Sequence, residues 1–194
     1  ACPHHLIRSL EESESLGPYA KVNPPLRSDD DRAELWRGLR DGTIDFIGTD
    51  HAPYAFAEKN RGWSSIWDAP PGIHGLEAVL PALLTEVHRG AITLPDLTRI
   101  VSLNAARRFG LRRRKGELRP GADADFILID ETATGVLDRN RMESVSRDAA
   151  RFWDGYPTVG RIVSTYVRGA LVARDGTVVG REGSGRLVRP EPSE

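Results

Sequence analysis

One cysteine, Cys2, and one methionine, Met142, stand in 194 residues. A lone cysteine excludes an intrachain disulfide framework and makes a reducing, cytoplasmic setting the expectation. No apolar run approaches the roughly 20 residues that span a bilayer, so no membrane role is expected. Nor is charge of one sign in excess: 27 basic against 28 acidic side chains leave a net charge of −1, which gives no general attraction to nucleic acid or an anionic membrane. The one basic cluster, Arg107, Arg108, Arg112, Arg113, Arg114 and Lys115, lacks the interleaved aromatics on which bases stack and reads as a solvated helix end or loop. Neither H-x-H nor H-E-x-x-H spacing occurs. His4 and His5, read on an extended strand, face opposite ways and cannot easily share a metal. The residues by themselves build no self-contained metal site. A charged-then-apolar leader is also missing; with an opening ACPHHL and the sole methionine at 142, the chain is expected to be a fragment, a processed product or part of something longer.

What is present, 39% apolar and 28% charged residues, suits one domain with a substantial core or two small ones. RSDDDRAELWRGLRDG at 27–42 predicts a helix. Ser28 can cap it, Asp31 completes a capping-box spacing, Leu35, Trp36 and Leu39 form an apolar stripe, and Gly42 stops it. TIDFIGT at 43–49 then reads as a short strand, so a helix feeds a strand as in α/β proteins. A second helix is predicted over about 76–89, and a third from Thr93, with Asp96 at capping-box spacing. Asn104 could cap a short last helix, NAARRFGL. Beyond Leu111 the pattern changes to a strand at 126–129 and three short strands in RIVSTYVRGALVARDGTVVG, with turns at Arg168-Gly169 and Asp175-Gly176. Phe152, Trp153 and Tyr156 stand as isolated anchors between them. The tail at 182–194 is expected to be extended or disordered at its very end.

The apolar run 43–49 ends in Asp50-His51. The carboxyl end of a strand in a parallel α/β sheet or barrel is where such folds set their active sites. A carboxylate there can bind a metal and take a proton from water, whose pKa falls to about 7 on zinc. Asp50 could equally cap the next turn, because Asp-His-Ala-Pro is plausible turn chemistry. His74 and His88 read as ordinary loop and helix-surface residues, and Cys2 as packed rather than nucleophilic.

Five stretches in order, CPHHL at 2–6, KVNPPLR at 21–27, DHAPY at 50–54, PPGIHGLE at 70–77 and KGELRPGADADFILID at 115–130, resemble the carboxyl-terminal half of a dihydroorotase of the cyclic amidohydrolase group, whose relatives include dihydropyrimidinase, hydantoinase and allantoinase. The resemblance implies an α/β fold: the C-terminal part of a metal-dependent (β/α)8 TIM barrel, roughly 250 residues when complete, in residues 1–111, and part of a small β-sandwich domain with the tail in 112–194. It implies one or two divalent ions, zinc first, held by histidines and a bridging carboxylated lysine or aspartate that lie outside these residues. Asp50 matches the last-strand aspartate that binds the metal, accepts a proton from the attacking water and protonates the leaving ring nitrogen. Asn23 matches a position that touches substrate, and Pro71 and Gly72 match the loop that hydrogen-bonds the ring.

One position departs from the pattern. Where dihydroorotases carry a histidine four residues after the aspartate, to help hold the substrate carboxylate, this chain has Tyr54, which can donate a hydrogen bond but brings no positive charge near neutral pH. Dihydroorotate, in pyrimidine biosynthesis, is the expected substrate, with hydantoin, dihydropyrimidine or allantoin rings as alternatives. A homo-oligomer is expected, with a transcarbamoylase as a possible partner. A different class is an inactive scaffold subunit beside such a transcarbamoylase. The 194 residues alone are expected to turn nothing over, because an open part-barrel exposes strand edges and an apolar interior.

Overall fold

The computed structural model describes residues 1–190; the expectation for the end of the tail falls on 191–194 and lies outside the described residues. Helices fill the chain up to Arg108: α1 (Pro3–Ile7), α2 (Leu10–Ser13), α3 (Asp29–Asp41), α4 (Phe56–Asn60), α5 (Val79–His88), α6 (Leu94–Thr98) and α7 (Asn104–Arg108). Helix α3 starts as its sequence dictates. The Asp31 N–H donates to Ser28 Oγ (3.3 Å) and the Ser28 N–H to Asp31 Oδ2 (3.2 Å), while three aspartates in its first turn face the positive end of the helix. Thr93 and Asp96 repeat the device at α6.

Four expectations are corrected. His4 and His5 lie on helix α1, not on an extended strand. Helix α5 begins only at Val79, because the backbone at Gly75 and Leu76 is drawn onto His51. Asn104 caps nothing: α6 runs through a π-helical stretch, Arg99–Leu103, straight into α7, and the Asn104 Nδ2 donates instead to the Asp45 carbonyl at 2.7 Å. The stretch 43–49 is not a strand. It carries single parallel-type contacts: the Ala1 amine donates to Phe46 O (3.0 Å) and the Gly48 N–H to Ala1 O (2.9 Å), while His51 pairs with Ile73 on the other flank. One paired residue on each side aligns three segments without building a ladder.

Past residue 125 the chain forms one antiparallel sheet in the order β1 (Phe126–Val136), β2 (Pro157–Val167), β3 (Ala170–Arg174) and β4 (Thr177–Val178). The turns fall where the sequence indicated. Arg168 (φ 50°) with Gly169 (φ 78°), and Asp175 (φ 48°) with Gly176 (φ 80°), hold the paired positive φ of the hairpin turns whose twist suits antiparallel strands. Strand β1 outruns the expected 126–129, because Thr134–Val136 pairs again with β2 beyond an irregularity. No second sheet occurs among the described residues.

Strand β2 packs on α5. The Val159 N–H donates to Thr85 Oγ1 (3.0 Å), and at Gly160 a Cβ would come within 2.9 Å of Leu84. The anchors Phe152, Trp153 and Tyr156 sink into one core with Leu6, Leu39, Leu83 and Ile100, each such side chain contributing about 1.5–3 kcal/mol on burial. Trp153 Nε1 also donates to the His74 carbonyl. Thus residues after 111 complete the core that packs beneath residues 45–77. The basic cluster is partly neutralised within the chain, Arg114 pairing with Asp123 (3.0 Å) and Lys115 with both Asp123 and Asp125. No helix among the described residues is long and apolar enough to cross a membrane.

Candidate active site

Asp50 ends the extended segment with a left-handed backbone, φ 46°. That region costs an L-residue about 1–3 kcal/mol, although aspartate visits it more readily than most. The turn leaves the carboxylate 45% exposed, and neither oxygen has a hydrogen bond among the described residues. A turn-capping aspartate would spend its oxygens on nearby N–H groups; Asp50 spends none. Beside it is His4, whose Nε2 lies 3.8 Å from Oδ2. His4 is 1% exposed with both ring nitrogens unpartnered, and burial, followed by the neighbouring His5, pulls its pKa down to about 3. It is therefore a neutral imidazole at any ordinary pH.

Helix α1 brings Cys2, His4 and His5 together, with one ligand atom from each within 4.8 Å of the others. The His5 Nε2 lies 2.9 Å from the Pro24 carbonyl, which assigns its proton there and leaves Nδ1 as a lone pair. Burial and then Asp50 push the Cys2 thiol above its ordinary pKa, so it stays protonated near neutrality. A half-exposed carboxylate without hydrogen bonds, beside an orphaned imidazole, is a donor set that a divalent cation of borderline softness accepts. Expected as a strand pair facing opposite ways, the histidines instead share one short helix. Pro3, in the first helical turn, was the signal for it.

The ring-contact candidates assemble around Gly72. A Cβ there would meet the Ala52 carbonyl oxygen at 2.5 Å and the Tyr54 ring at 2.8 Å, so Tyr54 lies flush on this glycine. The Gly72 N–H donates to the Lys21 carbonyl (3.0 Å), which draws the Pro71–Gly72 loop alongside the segment that carries Asn23. Asn23 is exposed, and its side-chain amide makes no hydrogen bond among the described residues. Pro71 is half-buried. Tyr54, Pro71 and Gly72 thus share one wall, Asn23 flanks it, and Asp50 stands four residues before Tyr54.

Three further residues take places that the sequence did not assign to them. His51 Nδ1 accepts from the Gly75 (3.0 Å) and Leu76 (3.3 Å) N–H groups, which fixes its neutral tautomer with the proton on Nε2. His74, expected as an ordinary loop residue, is buried with its Nε2 3.3 Å from Glu77 Oε1 and its ring edge-on to His51 at 4.7 Å. Burial, then His51, lowers its pKa against the opposing pull of Glu77. Lys59 is 2% exposed and donates to three backbone carbonyls, those of Lys21, Pro70 and Gly72. Nothing local in AFAEKNRGW marks it, because its partners come from two distant segments. His88 is exposed on α5, as its sequence suggested.

Comparison with known proteins gives the chain its family. The chain is 36% identical over 187 residues to an L-hydantoinase of Paenarthrobacter aurescens, covering 96% of this chain and 40% of that protein. It is 41% identical over 189 residues to a dihydroorotase of Methanothermobacter thermautotrophicus, covering 97% of this chain and 41% of that protein. Among solved structures, an L-hydantoinase (dihydropyrimidinase) from Arthrobacter aurescens superposes with a TM-score of 0.89 at 35% identity, over 96% of this chain and 41% of that one. The chain thus spans about two fifths of the length of these relatives. The amidohydrolase family profile matches residues 9–172, well over half of the sequence, and the chain belongs to the amidohydrolase family.

Proposed function

We propose that the protein carrying this chain is a metal-dependent cyclic amidohydrolase that opens the ring of dihydroorotate. In this reading the chain supplies the last strands and helices of a (β/α)8 barrel and, from about residue 112, part of a small β-sandwich. The observation that carries it is Asp50: an exposed carboxylate, unbonded among the described residues and set on a left-handed backbone at the end of an extended segment. Hairpin turns hold the same backbone at Arg168 and Asp175, so it is the unbonded, exposed carboxylate at Asp50, rather than its φ alone, that supports the reading. Higher identity to the dihydroorotase than to the L-hydantoinase supports the choice of ring.

Asp50 accepts the proton of the water that attacks the ring carbonyl and returns it to the ring nitrogen as the C–N bond breaks. Zinc, held by Asp50 and by ligands beyond these residues, would supply Lewis-acid polarisation of the carbonyl and acidify the attacking water. Asn23 offers an amide to the ring. The Pro71 backbone offers only an acceptor, its carbonyl, since proline has no N–H. The Gly72 N–H and carbonyl are already engaged with Lys21 and Lys59; Gly72 therefore serves by letting Ala52 and Tyr54 approach. Tyr54 favours a second reading, an uncharged hydantoin-type ring, because its phenol brings no charge to bind a carboxylate.

Initial rates of the full-length protein, reconstituted with zinc, on dihydroorotate, dihydrouracil, hydantoin and allantoin test the proposal. Dihydroorotate should be turned over fastest, and Asp50→Asn should lower kcat by at least about 10²–10⁴-fold with unchanged circular dichroism. Near-normal activity in Asp50→Asn removes that residue from the mechanism. Preference for hydantoin favours the second reading, and no turnover of any ring leaves a scaffold role.

A further inference from the structure

The Lys59 ammonium is buried without a carboxylate partner among the described residues. Burying an unpaired charge is costly unless every proton finds an acceptor. An ammonium has three donors, and Lys59 has three carbonyls: Lys21 O at 3.0 Å, Pro70 O at 3.1 Å and Gly72 O at 2.9 Å. Burial, then the charge of Lys21, brings its pKa down to about 8, so near neutrality it keeps the full set of protons.

A second lysine works on the same loop from outside. Lys21 Nζ donates to Ile66 O (2.7 Å) and Ala69 O (2.6 Å), and its own carbonyl receives both Lys59 and the Gly72 N–H. Three pieces of chain are thereby tied at one node: the strip leading to Asn23, the helix α4 that follows Tyr54, and the loop 66–72 that ends in Pro71 and Gly72. These are the pieces that carry every ring-contact candidate but not Asp50.

We propose that Lys59 is a positioning residue, its ammonium and that of Lys21 together fixing the loop 66–72 against Asn23 and Tyr54 so that the ring meets a preformed wall. The proposal rests on the ring-hydrolysis reading above. Neither lysine donates to Asp50 or moves a proton in the reaction, so they govern ring affinity and leave the chemical step alone.

The test uses the full-length zinc-loaded protein with Lys59→Met, which keeps the length and removes the donors, and Lys21→Met, which cuts the two outer bonds and the ammonium's contact with the Trp67 ring on the same loop. Two readouts are taken: KM and kcat on the best ring substrate, and hydrogen exchange at the Gly72 amide. Hydrogen bonds from charged groups are strong enough that Lys59→Met should raise KM about tenfold or more, with kcat within a few-fold, and speed exchange at Gly72 at least tenfold. Lys21→Met should move both in the same direction by less. Unchanged KM with unchanged exchange, or a fall in kcat at constant KM, overturns the proposal. If Lys59→Met does not fold, Lys21→Met decides by the same split. If the wild type opens no ring, the ring-hydrolysis reading fails, and exchange at Gly72 then decides whether the clamp exists.

Discussion

Gly72→Ala is the sharpest perturbation of the wall beside Asp50. An alanine Cβ there would sit 2.5 Å from the Ala52 carbonyl oxygen, 2.8 Å from Ala52 Cβ and 2.8 Å from Tyr54 Cε2, where ordinary contact begins near 3.4 Å. The oxygen is backbone and cannot swing aside, so residue 72 must retreat by about 0.9 Å, a displacement of the kind for which overpacking costs about 1–3 kcal/mol. Retreat also stretches the Gly72 N–H bond to Lys21 O, the Lys59 bond to Gly72 O and the Ala52 N–H bond to Ile73 O, now 3.0, 2.9 and 3.2 Å, the two amide bonds worth about 0.5–1.5 kcal/mol each and the ammonium bond about 1.5–3 kcal/mol when whole. Destabilisation of about 2–5 kcal/mol is expected. Gly75→Ala provides the graded comparison: its Cβ would meet a single close oxygen, Thr49 O, at 2.9 Å, for about 1–2 kcal/mol. Thermal unfolding of both variants in the full-length protein, with KM for the ring substrate, reads the difference. A Gly72→Ala protein as stable as wild type with unaltered KM would refute the close approach of the loop to residues 52–54.

Two further outcomes follow from the same structure. His74 has a folded-state pKa lowered by burial, then by His51, so the unfolded chain takes up a proton at higher pH than the folded one. Its contribution to stability is full above about pH 6.5 and is lost as pH falls below that value. The fall in Tm between pH 7.5 and 5 should be shallower in His74→Asn than in wild type; equal slopes would show that the ring is not held neutral by its surroundings. Ser28→Ala removes the acceptor for the Asp31 N–H at the start of α3 and should cost about 1 kcal/mol with no change in KM; no measurable loss in Tm would mean that the cap contributes nothing.

What could be read from the sequence is what neighbouring residues decide among themselves. Ser28 with Asp31, and Thr93 with Asp96, satisfy helix-end N–H groups within four residues, so their helices start where the pattern says. Arg168-Gly169 and Asp175-Gly176 set hairpin turns within two residues. TIDFIGT carries strand propensity, but a strand is defined by its partner, and among the described residues its backbone meets single residues, Ala1 and Ile100, with His51 just beyond it paired to Ile73, rather than a continuous neighbouring strand. Asn104 has a capping side chain, yet the helix runs unbroken through it from Arg99–Leu103, so there is no helix start for its oxygen to cap, and its amide donates to the Asp45 carbonyl 59 residues away. Tertiary partners override local preference in both cases.

The same division of range separates Asp50 from its surroundings. Asp50 is legible because an apolar run that stops at an acid is unusual within a dozen residues, and the order of five short motifs assigns that acid a role. The groups that make the acid usable come from elsewhere. His4 stands 46 positions before it in the chain, and the wall is tied by a lysine whose carbonyl partners lie as far as 38 residues away. Neither burial leaves a local trace, since nothing within CPHHL or AFAEKNRGW says what will cover these side chains. Their burial without a countercharge is visible only in three dimensions, and it is costly. A buried imidazole with no partner and a buried ammonium with no acid are both unfavourable for stability alone. One lies 3.8 Å from the exposed Asp50 carboxylate and the other ties the loop 66–72, which is the arrangement the proposed reaction asks for: Asp50 free to move a proton and Lys59 holding the wall for the ring.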